Sequence, residues 1–202
     1  MYRKVKNVMD FVVALCAIII LAPLILVLGI GVYVNFGSPI IFVQKRPGLN
    51  DKVFKLYKFR TMHNLYDSDG SPLPDHMRTS TFGKRLRHWS LDELPQLINI
   101  LKGDMSFIGP RPLFIHYLPY YTERERKRHS VRPGLTGLSQ ISGRSSLPWD
   151  EKLELDIQYI ESMSLKLDLT ILCKTIVKVF RRSDICDAAP QGPLHKYRSM
   201  HT

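Results

Sequence analysis

Residues 11 to 34 read FVVALCAIIILAPLILVLGIGVYV, and no charged side chain occurs between Asp10 and Lys45. A straight helix of that length rises ~36 Å at ~1.5 Å per residue, enough to cross a hydrocarbon core of ~30 Å. The segment therefore enters a membrane. A cleaved signal peptide fits poorly, because the apolar run is too long and no A-x-A-like site follows it. Its course inside lipid depends on its flanks and its centre. Arg3, Lys4 and Lys6 precede the run while Lys45 and Arg46 follow it. Basic residues thus stand at both ends, whereas a single span normally shows asymmetry. Pro23 lies mid-run after Ala22; its ring and missing N–H bend a helix, a defect tolerated where neighbouring groups satisfy the freed carbonyl. Together these features suggest a helix that dips in, kinks at Pro23 and returns, with a kinked span as the alternative. Asp10, the last acid before the lipid, reads as a cap or as a partner for Lys6.

At 202 residues the chain can hold one domain with a substantial core and an appended segment. Lys plus Arg outnumber Asp plus Glu by 29 to 18, and the net charge of +11 points to an anionic partner. Nucleic acid, a phosphorylated metabolite and an acidic membrane surface all qualify. Cys16, Cys173 and Cys186 are odd in number and lack CxxC spacing, so neither a disulfide framework nor a zinc site is indicated. Reduced cysteines favour a catalytic part in the cytoplasm.

Outward from the apolar run, residues 39–46 (PIIFVQKR) and 52–61 (KVFKLYKFRT) are β-like and are joined by PGLND, which predicts a hairpin. Residues 63–82, rich in Asp, Ser, Pro and Gly, read as an exposed loop. A helix begins near Leu94 or Pro95 and ends at Gly103. Another covers Pro119 to His129, where ERERKRH interleaves signs and reads as a solvated face. The glycine-spaced RPGLTGLSQISGR, residues 132–144, reads as turns and short strands. It holds no GxGxxG and no Walker loop, and misses G-x-S-x-G because Ile141 stands where the last glycine belongs. Dinucleotide, P-loop and serine-hydrolase chemistry are thereby disfavoured. From Trp149 the pattern is helical again. Leu165, Leu169, Leu172, Ile176 and Val179 recur at helical spacing, with Lys174, Lys178 and Arg181 on another side. That helix either packs its stripe into a core or lies on anionic lipid.

The expected architecture is α+β, mainly helical with a small β-hairpin. Residues 1–36 form a membrane-embedded re-entrant helix-hairpin, 37–182 a cytoplasmic catalytic domain with amphipathic helices, and 183–202 a flexible tail.

The chemistry concentrates in RHWSLDELPQLINILKGDMSFIGPRP, residues 87–112, which sets Asp92 and Glu93 side by side between Arg87 and Arg111. Ser90 with Glu93 fits the S-x-x-E capping box, and acids are ordinary at a helix N-terminus. The sharper reading is a reaction centre for a phosphate-bearing substrate, since arginine forks suit phosphate oxygens. Adjacent helical side chains diverge by about 100° at ~3.6 residues per turn, so the two acids cannot easily share one job. One suits a nucleophile toward phosphorus and the other a ligand for Mg²⁺, which prefers one or two carboxylates plus substrate phosphates. Pro110 and Pro112 restrict the backbone around Arg111, so that arginine is held, in a phosphate clamp or merely in a rigid turn.

Three stretches in this order, KRPGLNDKVFKLYKFRTM, SLDELPQLINILKGDMSFIGPRP and VRPGLTGLSQISGR, resemble the motifs of the bacterial sugar transferase family, the small monotopic phosphoglycosyl transferases. The likeness runs from Tyr2 to about Arg182. It implies an enzyme on the cytoplasmic face of a bacterial inner membrane, anchored by a re-entrant helix. Such an enzyme moves a sugar-1-phosphate from a UDP-sugar to polyprenyl (undecaprenyl) phosphate, the first membrane step of glycoconjugate synthesis. Carried across, Asp92 attacks the sugar-linked phosphate and Glu93 holds Mg²⁺. Arg87, Arg111 and Arg144, the arginine of the GR motif, bind phosphate. Anionic membrane lipid and the two substrates are the expected partners, nucleic acid is not, and a homodimer is compatible with the pattern. One departure concerns the kink, where Ala22-Pro23 stands in place of the family's frequent Ser-Pro. Rival readings are a membrane-tethered basic module that binds anionic lipid or nucleic acid, and a metal-dependent phosphohydrolase. The first lacks an aromatic-studded basic stripe, and the second needs more acidic ligands than this cluster offers.

Overall fold

A computed structural model describes residues 2–143, 147–181 and 192–199. It is mainly helical with a small antiparallel hairpin, the α+β architecture expected. Helix α1, Tyr2–Phe36, takes in the whole apolar run and stays helical through Pro23. It is long and apolar enough to cross a membrane, yet one face of it lies against the rest of the chain along its full length. Tyr2, Lys6, Asp10, Ala14, Ile18, Leu21, Ile25, Leu28, Val32 and Phe36 are shielded at helical spacing. Val8, Val12, Ile19, Ile20, Leu26, Val27, Ile30 and Val34 stay exposed on the remaining circumference. An apolar surface of that extent belongs in lipid.

Strands β1 (Ile41–Pro47) and β2 (Val53–Phe59) pair antiparallel in the register Ile41 to Phe59 and Pro47 to Val53, turning at Gly48 to Lys52 as the sequence indicates. Phe54 and Leu56 of β2 pack with Ala14, Leu97, Ile100 and Met105 in a first core. Phe59 packs with Val32, Phe36 and Leu86 in a second. The loop of residues 63–82 carries short helix α2, Asp75–Arg78, and runs into α3, Thr81–His88, whose N-cap Ser80 accepts from the Gly83 amide. Gly83 is required there, because a Cβ would lie 2.1 Å from the Thr61 carbonyl oxygen.

Helix α4, Gln96–Leu101, ends with Gly103 at φ +77°, the left-handed stop that glycine provides. Strands β3 (Ser106–Ile108) and β4 (Gly134–Thr136) then pair in parallel. Gly134 approaches Gly109 so closely that a Cβ would lie 2.1 Å from the Gly109 nitrogen. The helix expected over Pro119–His129 is instead 3-10 turns at Ile115–Tyr120 and Lys127–Ser130 flanking α5, Glu123–Arg126. Thr122 and Glu125 form a full capping box, which starts a new helix at that point. The solvated-face reading of ERERKRH fails at Arg128 and His129, which the final 3-10 turn folds inward and buries.

Helix α6 (Leu138–Ser142) precedes α7 (Trp149–Glu161) and α8 (Leu165–Arg181). The leucine stripe of α8 faces outward, with Leu165, Leu169, Leu172 and Ile176 exposed, while Asp168 and Ile171 are buried beneath. Of the two sequence readings, the core-packing stripe is therefore excluded. Asp168 accepts from Lys6 at 2.7 Å and from Tyr159 at 2.8 Å, which ties α8 to the start of α1. Asp10 lies 3.9 Å from Lys6, the partner foreseen. Residues 194–199, placed by the sequence in a flexible tail, form helix α9 (Leu194–Ser199). Leu194 and Tyr197 pack with Tyr117, Tyr121, Trp149 and Leu153, and the Arg198 guanidinium pairs with Glu125 and Asp150. The burial of Leu194 holds that segment down.

Candidate active site

The carboxylate pair lies in a 3-10 turn, Leu91–Glu93, between α3 and α4. Ser90 adopts φ +54° and its side chain makes no cap hydrogen bond. The capping box is therefore not formed, and Glu93 is free to turn elsewhere. Its Oε1 accepts from Lys58 Nζ at 2.7 Å and from Arg111 at 2.9 Å. Asp92 is 7% exposed, with Lys58 Nζ 3.7 Å from Oδ2. Among the described residues no side-chain hydrogen bond reaches the Asp92 carboxylate.

The two acids consequently differ in how readily they ionise as well as in direction. Burial pushes the Asp92 carboxyl above its ordinary value, and the neighbouring negative charge of Glu93 adds to the rise; Lys58, Arg111 and Arg87 oppose it. Burial would also raise Glu93, but Lys58 and Arg111 hold it well below the usual carboxylate range. One oxygen of Glu93 takes both cations, and the other can be lent to a hard cation. Asp92 combines a desolvated carboxylate with a nearby cation, a combination suited to nucleophilic attack.

Arg87 sits in the last turn of α3, where its Nε donates to Thr61 Oγ1 at 3.0 Å. It acts on Asp92 through its charge and makes no contact with Glu93 of the kind Arg111 makes. Arg111 is set by its backbone. Gly134 N donates to the Pro110 carbonyl at 2.9 Å, and Arg128 donates to the Arg111 carbonyl at 2.8 Å. Arg128 is itself paired with Asp156 at 2.6 Å, both side chains being 1% exposed, and Asp156 accepts from Ser139 at 2.8 Å. Arg144 lies outside the described residues. Pro23 lies within α1, which stays helical through it.

Sequence reasoning missed Lys58 and the bracing Arg128–Asp156 pair. Lys58 carries a readable signal: it follows Phe54 and Leu56 at two-residue spacing on β2, so a lysine stands in phase with buried positions. Arg128, set in a mixed-charge run, carries none.

A mainly helical α+β domain with a long apolar helix thus carries a buried carboxylate beside a second one clamped by two cations. The chain belongs to the bacterial sugar transferase family, whose model matches residues 1–182. It is 48% identical over 174 residues to "Uncharacterized sugar transferase EpsL" of Bacillus subtilis, covering 86% of each chain. It is 37% identical over 187 residues to the "UDP-N-acetylgalactosamine-undecaprenyl-phosphate N-acetylgalactosaminephosphotransferase" of Aeromonas hydrophila, covering 87% of this chain and 43% of that protein. To the "UDP-glucose:undecaprenyl-phosphate glucose-1-phosphate transferase" of Xanthomonas campestris it is 36% identical over 186 residues, covering 86% of this chain and 38% of that one. The chain thus spans most of the Bacillus relative and about two fifths of the other two.

Proposed function

We propose that the chain transfers a sugar-1-phosphate from a UDP-sugar to polyprenyl phosphate, releasing UMP, as the first membrane step of glycoconjugate synthesis. The observation that carries this reading is the division between the acids: Glu93 is held by Lys58 and Arg111, whereas Asp92 is buried, accepts no side-chain hydrogen bond among the described residues and lies within 3.7 Å of a cation. In the first step Asp92 forms a bond to the sugar-bearing phosphorus as the bond to the UMP oxygen breaks. In the second, a phosphate oxygen of polyprenyl phosphate attacks the same phosphorus and frees Asp92. Lys58, Arg87 and Arg111 neutralise the charge carried by the phosphoryl oxygens, where positioning and electrostatics do most of the work. Arg144 joins them by family resemblance. Mg²⁺, when bound, would add a further charge on the phosphates, with Glu93 lending it one carboxylate oxygen.

The same reading places the enzyme on one face of a bacterial inner membrane, the cytoplasmic one. What supports one-sided embedding is that Lys6 near the start of α1 pairs with Asp168, while Val32 and Phe36 near its end pack with Phe59 and Leu86. A polar domain touching both ends of a helix is costly to reconcile with ends in two aqueous compartments. The outward leucines of α8, flanked by lysines, suit the headgroup region of anionic lipid.

A panel of UDP-sugars incubated with the full chain in the absence of any lipid acceptor tests the reaction. One of them should release UMP stoichiometrically with enzyme and turn over once polyprenyl phosphate is added, and chelation of Mg²⁺ should abolish release. A phosphohydrolase would turn over without lipid, and a binding module would release nothing.

A further inference from the structure

Arg46, at the end of β1, holds its guanidinium 3.8 Å from the centre of the Phe114 ring and donates to Gln44 Oε1 at 2.6 Å. Its Nε is buried without an acceptor, and no carboxylate pairs with it among the described residues. Burial, and after it the charge of Arg111, pushes its pKa down to about 10. Two guanidiniums close enough to disfavour each other, with no acid assigned to Arg46, are reconciled by an oxyanion that offers several charged oxygens.

The hairpin register gives this cation a direction. Arg46 lies opposite Phe54, and Phe42 lies opposite Lys58. Opposed residues of an antiparallel pair share a face, as do residues two apart on one strand, so Arg46 and Lys58 stand on the same face of the hairpin. The rise from Phe54 to Lys58 separates them by ~13 Å at ~3.3 Å per residue. Arg111 connects the two ends of that interval: it donates to Glu93 where Lys58 also ends, and Phe114, three residues after it, lies under the Arg46 guanidinium. Lys58, Arg111 and Arg46 therefore form a cationic track leading away from Asp92. A diphosphate with its reacting phosphorus against Asp92 lays its other phosphate along that track.

We propose that Arg46 is a substrate-binding residue of this site, holding the phosphate that departs with the nucleotide. The inference rests on the UDP-sugar reading above. As the Asp92 oxygen bonds to the sugar-bearing phosphorus, the bond from that phosphorus to the bridging oxygen breaks. The electron pair stays on the bridging oxygen, which leaves as part of UMP, and no proton need move. Negative charge therefore grows on the departing phosphate, where Arg111 and then Arg46 meet it. Phe114 stacks on the guanidinium and fixes its plane, so little side-chain entropy is lost when phosphate binds.

Calorimetry on the full chain in detergent, with UMP as the probe, tests the assignment beside steady-state kinetics. Arg46→Gln should bind UMP about tenfold or more weakly and raise KM for the UDP-sugar, leaving KM for polyprenyl phosphate within about twofold. Arg46→Lys keeps the charge but loses the fork and should fall between. Unchanged UMP affinity in Arg46→Gln overturns the assignment. So does a raised KM for polyprenyl phosphate with UMP affinity intact, which would give Arg46 to the lipid substrate. Should Arg46→Gln fail to fold, UMP affinity in Arg46→Lys decides alone, since equality with wild type there also refutes the role. A wild type that turns over UDP-sugar while both variants match it rejects Arg46 only. A wild type that neither binds UMP nor releases it rejects the reaction, and this inference with it.

Discussion

Asp156→Asn removes the counter-charge of Arg128 while keeping the shape of the side chain. The pair is 2.6 Å apart with both side chains 1% exposed, so neither water nor salt can stand in for the lost carboxylate. Leaving one member of such a pair buried costs about 3–5 kcal/mol. For a chain of this size each kcal/mol moves the melting temperature by about 2–4 °C, so Asp156→Asn should melt roughly 10 °C below wild type. Because desolvation offsets much of a buried pair's attraction, Arg128→Met combined with Asp156→Leu should recover most of that loss. Activity should not follow stability. Arg128 also donates to the Arg111 carbonyl at 2.8 Å, and the double variant leaves that carbonyl without its donor. Its UMP release should stay about tenfold or more below wild type, because misplacing Arg111, in its proposed role on phosphate, is costly even when the fold is sound. Tryptophan fluorescence during heating and UMP release at 25 °C report the two quantities separately. A melting temperature for Asp156→Asn within about 2 °C of wild type would refute the energetic argument. Full activity in the double variant would refute the bracing of Arg111.

Lys58→Met takes away the cation nearest Asp92, so its pKa, already raised by burial, rises further. A nucleophile must be ionised and activity is lost as pH falls through its pKa. The acid limb of kcat/KM for UMP release should therefore move to higher pH, and an unmoved limb counts against Lys58 as the tuning charge. Arg111→Lys keeps the charge but loses the planar fork proposed to meet phosphate, and a large loss of rate is expected; wild-type turnover would reduce Pro110-Arg111-Pro112 to a turn. Cysteines at Lys4 and Asn50, in a background without the native three, should both be shielded from an impermeant thiol reagent in intact cells and react after lysis. Labelling at position 4 alone in intact cells would establish a span.

The hairpin and α1 were legible because each rests on a local rule. The hairpin needs alternation and a PGLND turn, and α1 needs a long uncharged run. The dyad was also legible as two acids between arginines, but its local geometry was not. Ser90 in the left-handed region points the chain away from the capping box, and nothing in S-x-x-E reveals a φ angle. The stripe on α8 had the correct period, and only tertiary packing could say that Asp168 and Ile171, not the leucines, face inward. Arg128 defeats composition altogether. Its partner Asp156 is far away in sequence, and a buried arginine in a mixed-charge run looks like any solvated one until the two are brought together. At α9 the stretch is too short for periodicity to speak, so the burial of Leu194 and Tyr197 against Trp149 and Tyr117 appears only in the folded chain.

In the proposed reaction everything turns on a covalent bond between Asp92 and the phosphosugar. Intact-protein mass spectrometry after incubation with the productive UDP-sugar, without polyprenyl phosphate and quenched rapidly, measures this directly. Wild type should gain the mass of one sugar-phosphate, located by peptide fragmentation on Asp92, and should lose it when polyprenyl phosphate is added. Asp92→Asn, isosteric but unable to attack phosphorus, should gain nothing and release no UMP. An adduct on another residue, or sustained turnover by Asp92→Asn, would contradict the account.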